Sequence, residues 1–273
     1  MSRTTISDLY EKYEAGDPLT MLTAYDAPTA ELVDEAGIDA ILVGDSMGNA
    51  VLGYGSTLPV TVDEVASRTA AVARATEGAL VIADMPFLSY GVSDERSVEN
   101  AGRMIKEEGA DAVKIESGPH TVELTETLVQ LGIPVMAHLG LTPQRVKQLG
   151  GYARQGEDRD AAEGILDLAR AHEEAGAFSL VLEHVPASLA RQVTEAIDIP
   201  VIGIGAGPDV DGQVLVLTDV VGLSDYSPPF AKQYGDAASE FANAIASFRD
   251  EVRDGSFPAE EHASDVEELD DLY

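Results

Sequence analysis

Eight times along this chain a short run rich in Val, Ile and Leu stops on a polar residue, passes through a loop and gives way to an amphipathic stretch. The runs are "MLTAYD" (21–26), "AILVGDS" (40–46), "ALVIADMP" (79–86), "DAVKIES" (111–117), "PVMAHLG" (134–140), "SLVLEHVP" (179–186), "PVIGIGAG" (200–207) and "VLVLTDVVGL" (214–223). Their apolar residues are continuous rather than alternating, which means burial on both faces and hence a parallel sheet. Helix-period segments lie between them at 27–37, 61–78, 95–110, 159–177 and 186–197, and several end in Gly before the next run. Helix C-termini prefer that residue. Eight such units in 273 residues predict an α/β fold, a (β/α)8 TIM barrel. A doubly wound sheet is the rival arrangement of the same elements. "TTISDLYEKYEA" (4–15) predicts an extra N-terminal helix, opened by Thr5 with Asp8 three residues on, that plugs the bottom of the barrel. A last helix near 236–253 completes one catalytic domain, 1–253, and an acidic tail follows at 254–273.

Charge narrows the partners. The formal net charge is -32, and residues 250–273, with ten acids and one Arg, account for only -9 of it. The acidity is therefore spread over the surface, and it repels nucleic acid and anionic membranes. A halophilic cytoplasm, where salt screens self-repulsion, accounts for it. The chain has no Cys, which removes disulfides, thiolate metal sites and Cys nucleophiles together. No run approaches the roughly 18 apolar residues of a membrane span, and the N-terminus lacks a signal-peptide core.

Asp45, Asp84, Glu116, His138 and Glu183 each stand at or within a residue of the C-terminal end of an expected strand. That rim carries the chemistry of TIM barrels. Converging carboxylates without Cys suit a hard cation bound by oxygen, Mg²⁺ before Zn²⁺. Asp45 and Asp84 are the expected direct ligands, with Glu116 a third or one acting through water. A cation so held can chelate a 2-oxo acid and stabilise the enolate formed when a C3 proton leaves. Glu183, outside that shell, fits the base. Lys114 shares a strand face with Glu116 and meets either the carboxylates or the substrate's acid group, with a Schiff base as the sharper alternative. His138 either donates to the substrate carboxylate or is structural. His120, His172, His184 and His262 read as surface residues. "GIGAG" (203–207) lacks the G-x-G-x-x-G spacing of a phosphate fingerprint. The loop 138–158 reads as a lid or subunit contact.

"TAYDAPTA", "LVGDSMG", "STLPVT", "ADMPFLSY", "VKIES", "HLGLTPQ", "GGY", "LVLEHVP" and "PVIGIGAG" with "DVDGQVLV" occur in this order. Together they resemble the ketopantoate hydroxymethyltransferase family over residues 4–262. The resemblance implies a (β/α)8 barrel assembled as a homo-oligomer, a decamer. It implies transfer of a one-carbon unit from 5,10-methylenetetrahydrofolate to 3-methyl-2-oxobutanoate, giving 2-dehydropantoate. It implies Mg²⁺ on Asp45, Asp84 and Glu116, substrate held by Asp45, Ser46, Asp84 and Lys114, and Glu183 as proton acceptor. Ala153, Glu157 and Pro229 stand where relatives often have basic residues, and Tyr54-Gly55 where many bacterial members have His-Asp. These departures bear on folate contacts and subunit packing rather than on the metal site. The alternative is another Mg²⁺-dependent barrel that cleaves or rearranges 2-oxo acids.

Overall fold

A computed structural model of the chain describes residues 3–224 and 227–264. Eight parallel strands close a barrel in sequence order: β1 (Leu19–Thr23), β2 (Ala40–Val43), β3 (Leu80–Asp84), β4 (Ala112–Glu116), β5 (Val135–Gly140), β6 (Ser179–Glu183), β7 (Val201–Ile204) and β8 (Gly212–Leu215). The helices are α1 (Ile6–Ala15), α2 (Ala27–Glu35), α3 (Met47–Ala50), α4 (Val62–Ala75), α5 (Asp94–Lys106), α6 (Val122–Gln130), α7 (Val146–Leu149), α8 (Arg159–Glu174), α9 (Ala187–Thr194), α10 (Leu217–Val221) and α11 (Ala237–Asp254). The TIM-barrel expectation therefore holds, and the doubly wound rival does not.

Chain contacts divide the molecule into two compact units. The first, residues 1–217 with 229–231, contains the whole barrel. In the second, 218–228 with 232–273, Asp236 caps α11 by accepting from the Ser239 N–H at 3.3 Å. Phe241, Ile245, Phe248 and Val252 of α11 are exposed and recur at helical spacing along one stripe. Residues 265–273 of the expected acidic tail lie outside the described residues.

The pleat decides what the barrel encloses. Leu80 and Ile82 of β3, Ala112 of β4, Met136 of β5, Val181 of β6 and Ile202 of β7 form the apolar interior with Met21, Leu42 and Val214. Two residues further along the same strands, the inward position falls to Asp84, Lys114, His138 and Glu183. Parallel pairing sets Asp84 opposite Lys114, and Glu116 opposite His138. An apolar floor thus becomes a polar mouth within one pleat.

At the other end α1 closes the barrel. Thr5 and Asp8 make the expected capping box, and Leu9 packs with Leu19, Met21 and Phe178. Lys12 reaches Asp39, which also accepts from the backbone N–H and hydroxyl of Thr20.

Two details differ from the sequence reading. The run 214–223 is not one strand: β8 ends at Leu215, paired with Leu22 of β1, and the chain turns into α10 as the Leu217 N–H donates to Thr23 Oγ1 at 3.0 Å. β1 has only one residue left past Leu22, so a longer β8 would have no partner for its backbone. His172 is not on the surface either. It is wholly buried between α6 and α8, with Nδ1 3.0 Å from Thr125 Oγ1.

Candidate active site

Asp45, Ser46, Asp84, Lys114, Glu116, His138 and Glu183 all line one cavity at the C-terminal mouth, enclosing about 540 Å³ including the part open to solvent. Thr23, Leu42, Thr57, Val181, Ile204 and Val214 complete much of its wall. One side is therefore charged and the other apolar. Every site residue named from the sequence is brought together here.

Lys114 sits at the centre. Its Nζ lies 2.8 Å from Asp84 Oδ1 in an ion pair whose angles fall short of a hydrogen bond, and 3.2 Å from His138 Nδ1. Burial works against its charge, yet Asp84, Asp45 and Glu116 more than offset that and raise its pKa. It is an ammonium, so it can only donate, and His138 Nδ1 must accept. The imidazole proton is then on Nε2, which points at Glu183 Oε2 at 3.2 Å without good alignment. Burial first, and then Lys114, holds His138 well below the usual histidine pKa. His138 is neutral and faces the proposed base.

Four carboxyl groups therefore surround one ammonium. Burial and then the Asp84 charge push Asp45 up to about 7. Burial and then Asp45 push Glu116 well above the ordinary carboxylate range. Burial alone is the main cause that lifts Glu183 to about 7, although its side chain keeps 17% of its surface open to the cavity. The negative charge exceeds what Lys114 neutralises, and a low dielectric amplifies the excess.

Gln144, which the sequence reading passed over, organises two of these acids. Its backbone N–H donates to both Glu116 oxygens at 3.1 Å, and its Nε2 donates to Asp45 Oδ2 and to the Met85 carbonyl at 2.9 Å each. Tyr90 donates to Gln144 Oε1 at 2.8 Å, which fixes the amide's orientation. The signal was a Pro-bearing turn in the long loop after β5, and nothing in that loop tells which polar side chain folds back. Ser46 Oγ lies 2.9 Å from the Tyr25 hydroxyl. Buried Thr57 Oγ1 has no hydrogen-bond partner among the described residues.

Glu183 depends on its neighbours' backbone. Gly140 has φ +89°, and a Cβ there would meet the Glu183 carbonyl oxygen at 2.2 Å. Only glycine allows both the left-handed turn and the approach. Directly after Glu183, His184 adopts φ 46°, a left-handed conformation costly for a side chain that is not Gly.

An oxygen-rich donor set with surplus negative charge fits a hard divalent cation. Among the described residues, however, no three His, Asp or Glu side chains already stand as a ready-made metal cluster. Lys114 and Gln144 hold the carboxylates instead. Asp45 and Asp84 are adjacent, since the Asp45 N–H donates to Asp84 Oδ2 at 3.1 Å.

Comparison with known proteins agrees with the motif resemblance. Among solved structures, 2,3-dimethylmalate lyase, a PEP mutase/isocitrate lyase superfamily member, matches with TM-score 0.60 and 20% identity over 97% of this chain and 93% of its own. A phosphonopyruvate hydrolase in complex with oxalate and Mg²⁺ matches with TM-score 0.61 and 16% identity over 98% and 94%. At those identities the likeness shows the barrel fold. Sequence relatives are much nearer. The 3-methyl-2-oxobutanoate hydroxymethyltransferases of Halobacterium salinarum, Haloarcula marismortui and Moorella thermoacetica are 68%, 65% and 55% identical, covering 95%, 98% and 96% of this chain and 95%, 99% and 98% of their own. The family model for ketopantoate hydroxymethyltransferase matches residues 3–260. The chain therefore belongs to the ketopantoate hydroxymethyltransferase family.

Proposed function

We propose that in this chain, which family membership makes a transferase placing a hydroxymethyl group on 3-methyl-2-oxobutanoate, 5,10-methylenetetrahydrofolate supplies the carbon, Mg²⁺ is the resident ion and Glu183 is the base. The observation that carries this reading is the surplus of carboxylates around Lys114, with Glu183 set apart against neutral His138.

Asp45, Asp84 and Glu116 would hold the ion. When bound there, the ion would supply Lewis-acid stabilisation of negative charge developing on the substrate's keto oxygen. Lys114 adds a fixed positive charge to the same side and stays protonated, which disfavours a Schiff base. The branched alkyl end of the substrate lies against the apolar wall of Leu42, Val181, Ile204 and Val214. That pose directs C3 toward Glu183, whose pKa near 7 matches general-base work at neutral pH. Glu183 takes the C3 proton, and the C3 carbanion attacks the donor's methylene carbon. The methylene carbon's two bonds to donor nitrogen break in turn, water adds the hydroxyl to that carbon, and the Glu183 proton and the remaining water proton leave on the two nitrogens of tetrahydrofolate. Neutral His138, with Nε2 3.2 Å from Glu183 Oε2, adds no positive charge that would lower the basicity of Glu183.

The homo-oligomer, a decamer by resemblance, belongs to the same proposal. The exposed apolar stripe of α11 supports an assembly, and native mass determination tests it. No helix among the described residues is long and apolar enough to cross a membrane; a cytoplasmic, salt-adapted setting completes the reading. The deciding assay incubates the protein with 3-methyl-2-oxobutanoate and 5,10-methylenetetrahydrofolate across a KCl range, with and without EDTA. The expected result is 2-dehydropantoate that disappears with EDTA. Product that persists after full metal removal overturns the Mg²⁺ assignment, and no product at any salt concentration overturns the reaction.

A further inference from the structure

Five segments leaving the barrel at its C-terminal end, 46–61, 85–93, 117–121, 141–156 and 184–186, hold 49 residues without one Asp or Glu. At the chain's frequency of 49 acids in 273 residues, about nine would be expected there. The segments entering the strands at the opposite end, 16–18, 36–39, 76–79, 107–111, 131–134, 175–178 and 195–200, carry eight acids in 30 residues. Within the bare rim, 141–156 holds Arg145, Lys147 and Arg154. None of the three forms an ion pair among the described residues. On a surface that is acidic elsewhere and repels anions, the unpaired cations of 141–156 offer an anion a local partner.

The rim also has a hollow of fitting size. Gly55, Ser56, Val146, Lys147 and Tyr152 line a depression of about 870 Å³, counting the part open to solvent, within the range of small-molecule sites. It lies beside the catalytic cavity, because Thr57, next to Ser56, and Pro143, three residues before Val146, line that cavity. Tyr152 is 48% exposed, and its hydroxyl is held above the usual pKa by burial and then by Asp45, Glu183 and Glu116. The glycines beside it, Gly150 and Gly151, have no atom within 4 Å of a would-be side chain.

We infer that this hollow docks the one-carbon donor, a flat heteroaromatic ring carrying carboxylates, with Tyr152 as the stacking surface and Lys147 as the partner of the acid tail. The inference rests on the hydroxymethyl-transfer reading. It places the donor over the loop side of the cavity, across from the apolar wall that takes the 2-oxo acid. The donor's carbon then enters past Ser56 and Thr57.

The test uses the full chain and the variants Tyr152→Ala and Lys147→Glu, in one KCl buffer. Four quantities are read: the KM for 5,10-methylenetetrahydrofolate, the KM for 3-methyl-2-oxobutanoate, donor-free exchange of the C3 proton in D₂O, and calorimetric binding of tetrahydrofolate. Each variant should raise the donor KM about tenfold, the scale of losing a base–aromatic stack, and weaken tetrahydrofolate binding to match. The 2-oxo-acid KM and the exchange rate should stay within about twofold. Unchanged donor KM and tetrahydrofolate binding in both variants overturn the inference. So does a parallel loss of exchange, which makes the loop part of the 2-oxo-acid site. An effect from a third variant, Arg145→Gln, but not from Lys147→Glu overturns it too, moving the donor to a second hollow lined by Phe87, His120, Gln144 and Arg145. A wild type that binds tetrahydrofolate through Tyr152 yet neither exchanges C3 nor forms product sinks the reaction and leaves the docking site standing.

Discussion

Both ends of this barrel bury carboxylates, and they treat them in opposite ways. At the bottom, burial works against the charge of Asp34, but N–H donors from Glu77, Ala79 and Gly78 more than offset it and lower its pKa. Asp39 is likewise lowered against its burial by Lys12 and Thr20. At the mouth, Asp45, Glu116 and Glu183 are all raised, burial being the first cause each time. Asp211 shows the bottom is not uniform, since burial raises it despite the Val201 N–H. The contrast still separates two purposes. An acid surrounded by donors staples chain segments together; an acid left among other acids stores unfavourable charge for a ligand to relieve.

The largest expected effect tests the mouth. Glu183→Gln keeps shape and removes the proposed base, so turnover and donor-free C3 exchange should fall about a thousandfold. Mg²⁺ and substrate binding, followed by calorimetry, should persist. Exchange at the wild-type rate would move the base elsewhere and collapse the distinction between Glu183 and its neighbours.

A second measurement asks whether a buried titratable group away from both ends behaves as a third class. Burial lowers His172 to about 4, against about 6.5 in an unfolded chain. The unfolded chain therefore binds the proton first as pH falls. Stability that is complete above pH 6.5 is lost between 6.5 and 4, to a limit of about 3 kcal/mol. Denaturant titrations of the wild type and His172→Gln should converge toward the lower pH. Parallel curves would mean that the proton is accommodated in the fold.

The sharpest comparison exchanges charge for shape at each end. Asp39→Asn should cost about 2 kcal/mol, because the Lys12 and Thr20 donors lose an ionised partner, while kcat stays unchanged. Asp45→Asn should do the reverse in metal-free protein at pH 8, adding about 2 kcal/mol of stability by relieving like charge and abolishing turnover. If both changes destabilise equally, the mouth stores no unfavourable charge.

The sequence made the mouth far more legible than its supports. Asp84, Lys114, Glu116, His138 and Glu183 were readable because each interrupts an apolar run, and a pleat of period two then fixes its face. Asp45 was readable for the same reason, and the motif order supplied the roles. Gln144 was not, since a loop has no period and its side chain meets Asp45 across a sequence separation of 99. His172 was misread because polar neighbours in "RAHEEAG" suggested a wet face, whereas Thr125 on α6 offers the hydrogen bond that makes burial tolerable. The end of β8 escaped for a third reason: the length of a strand depends on its partner, and β1 supplies pairing only as far as Leu22.

Gln144 gives the smallest expected effect and the finest test of the contrast. At the bottom, donors neutralise acids; at the mouth, the donors of Gln144 only aim them, because one amide and one backbone N–H do not cancel the charge of Asp45 and Glu116. Gln144→Leu removes the Nε2 donors to Asp45 and Met85 and the acceptor for Tyr90, but it leaves the backbone N–H to Glu116. Mg²⁺ affinity measured by calorimetry on metal-free enzyme should weaken about tenfold, the lower end for groups that orient metal ligands. Saturating Mg²⁺ should restore most of kcat, because Asp45 keeps its charge and only its direction is lost. A loss of kcat that no Mg²⁺ concentration restores would mean that Gln144 touches substrate, and the line between aiming and reacting groups would have to be redrawn inside the mouth itself.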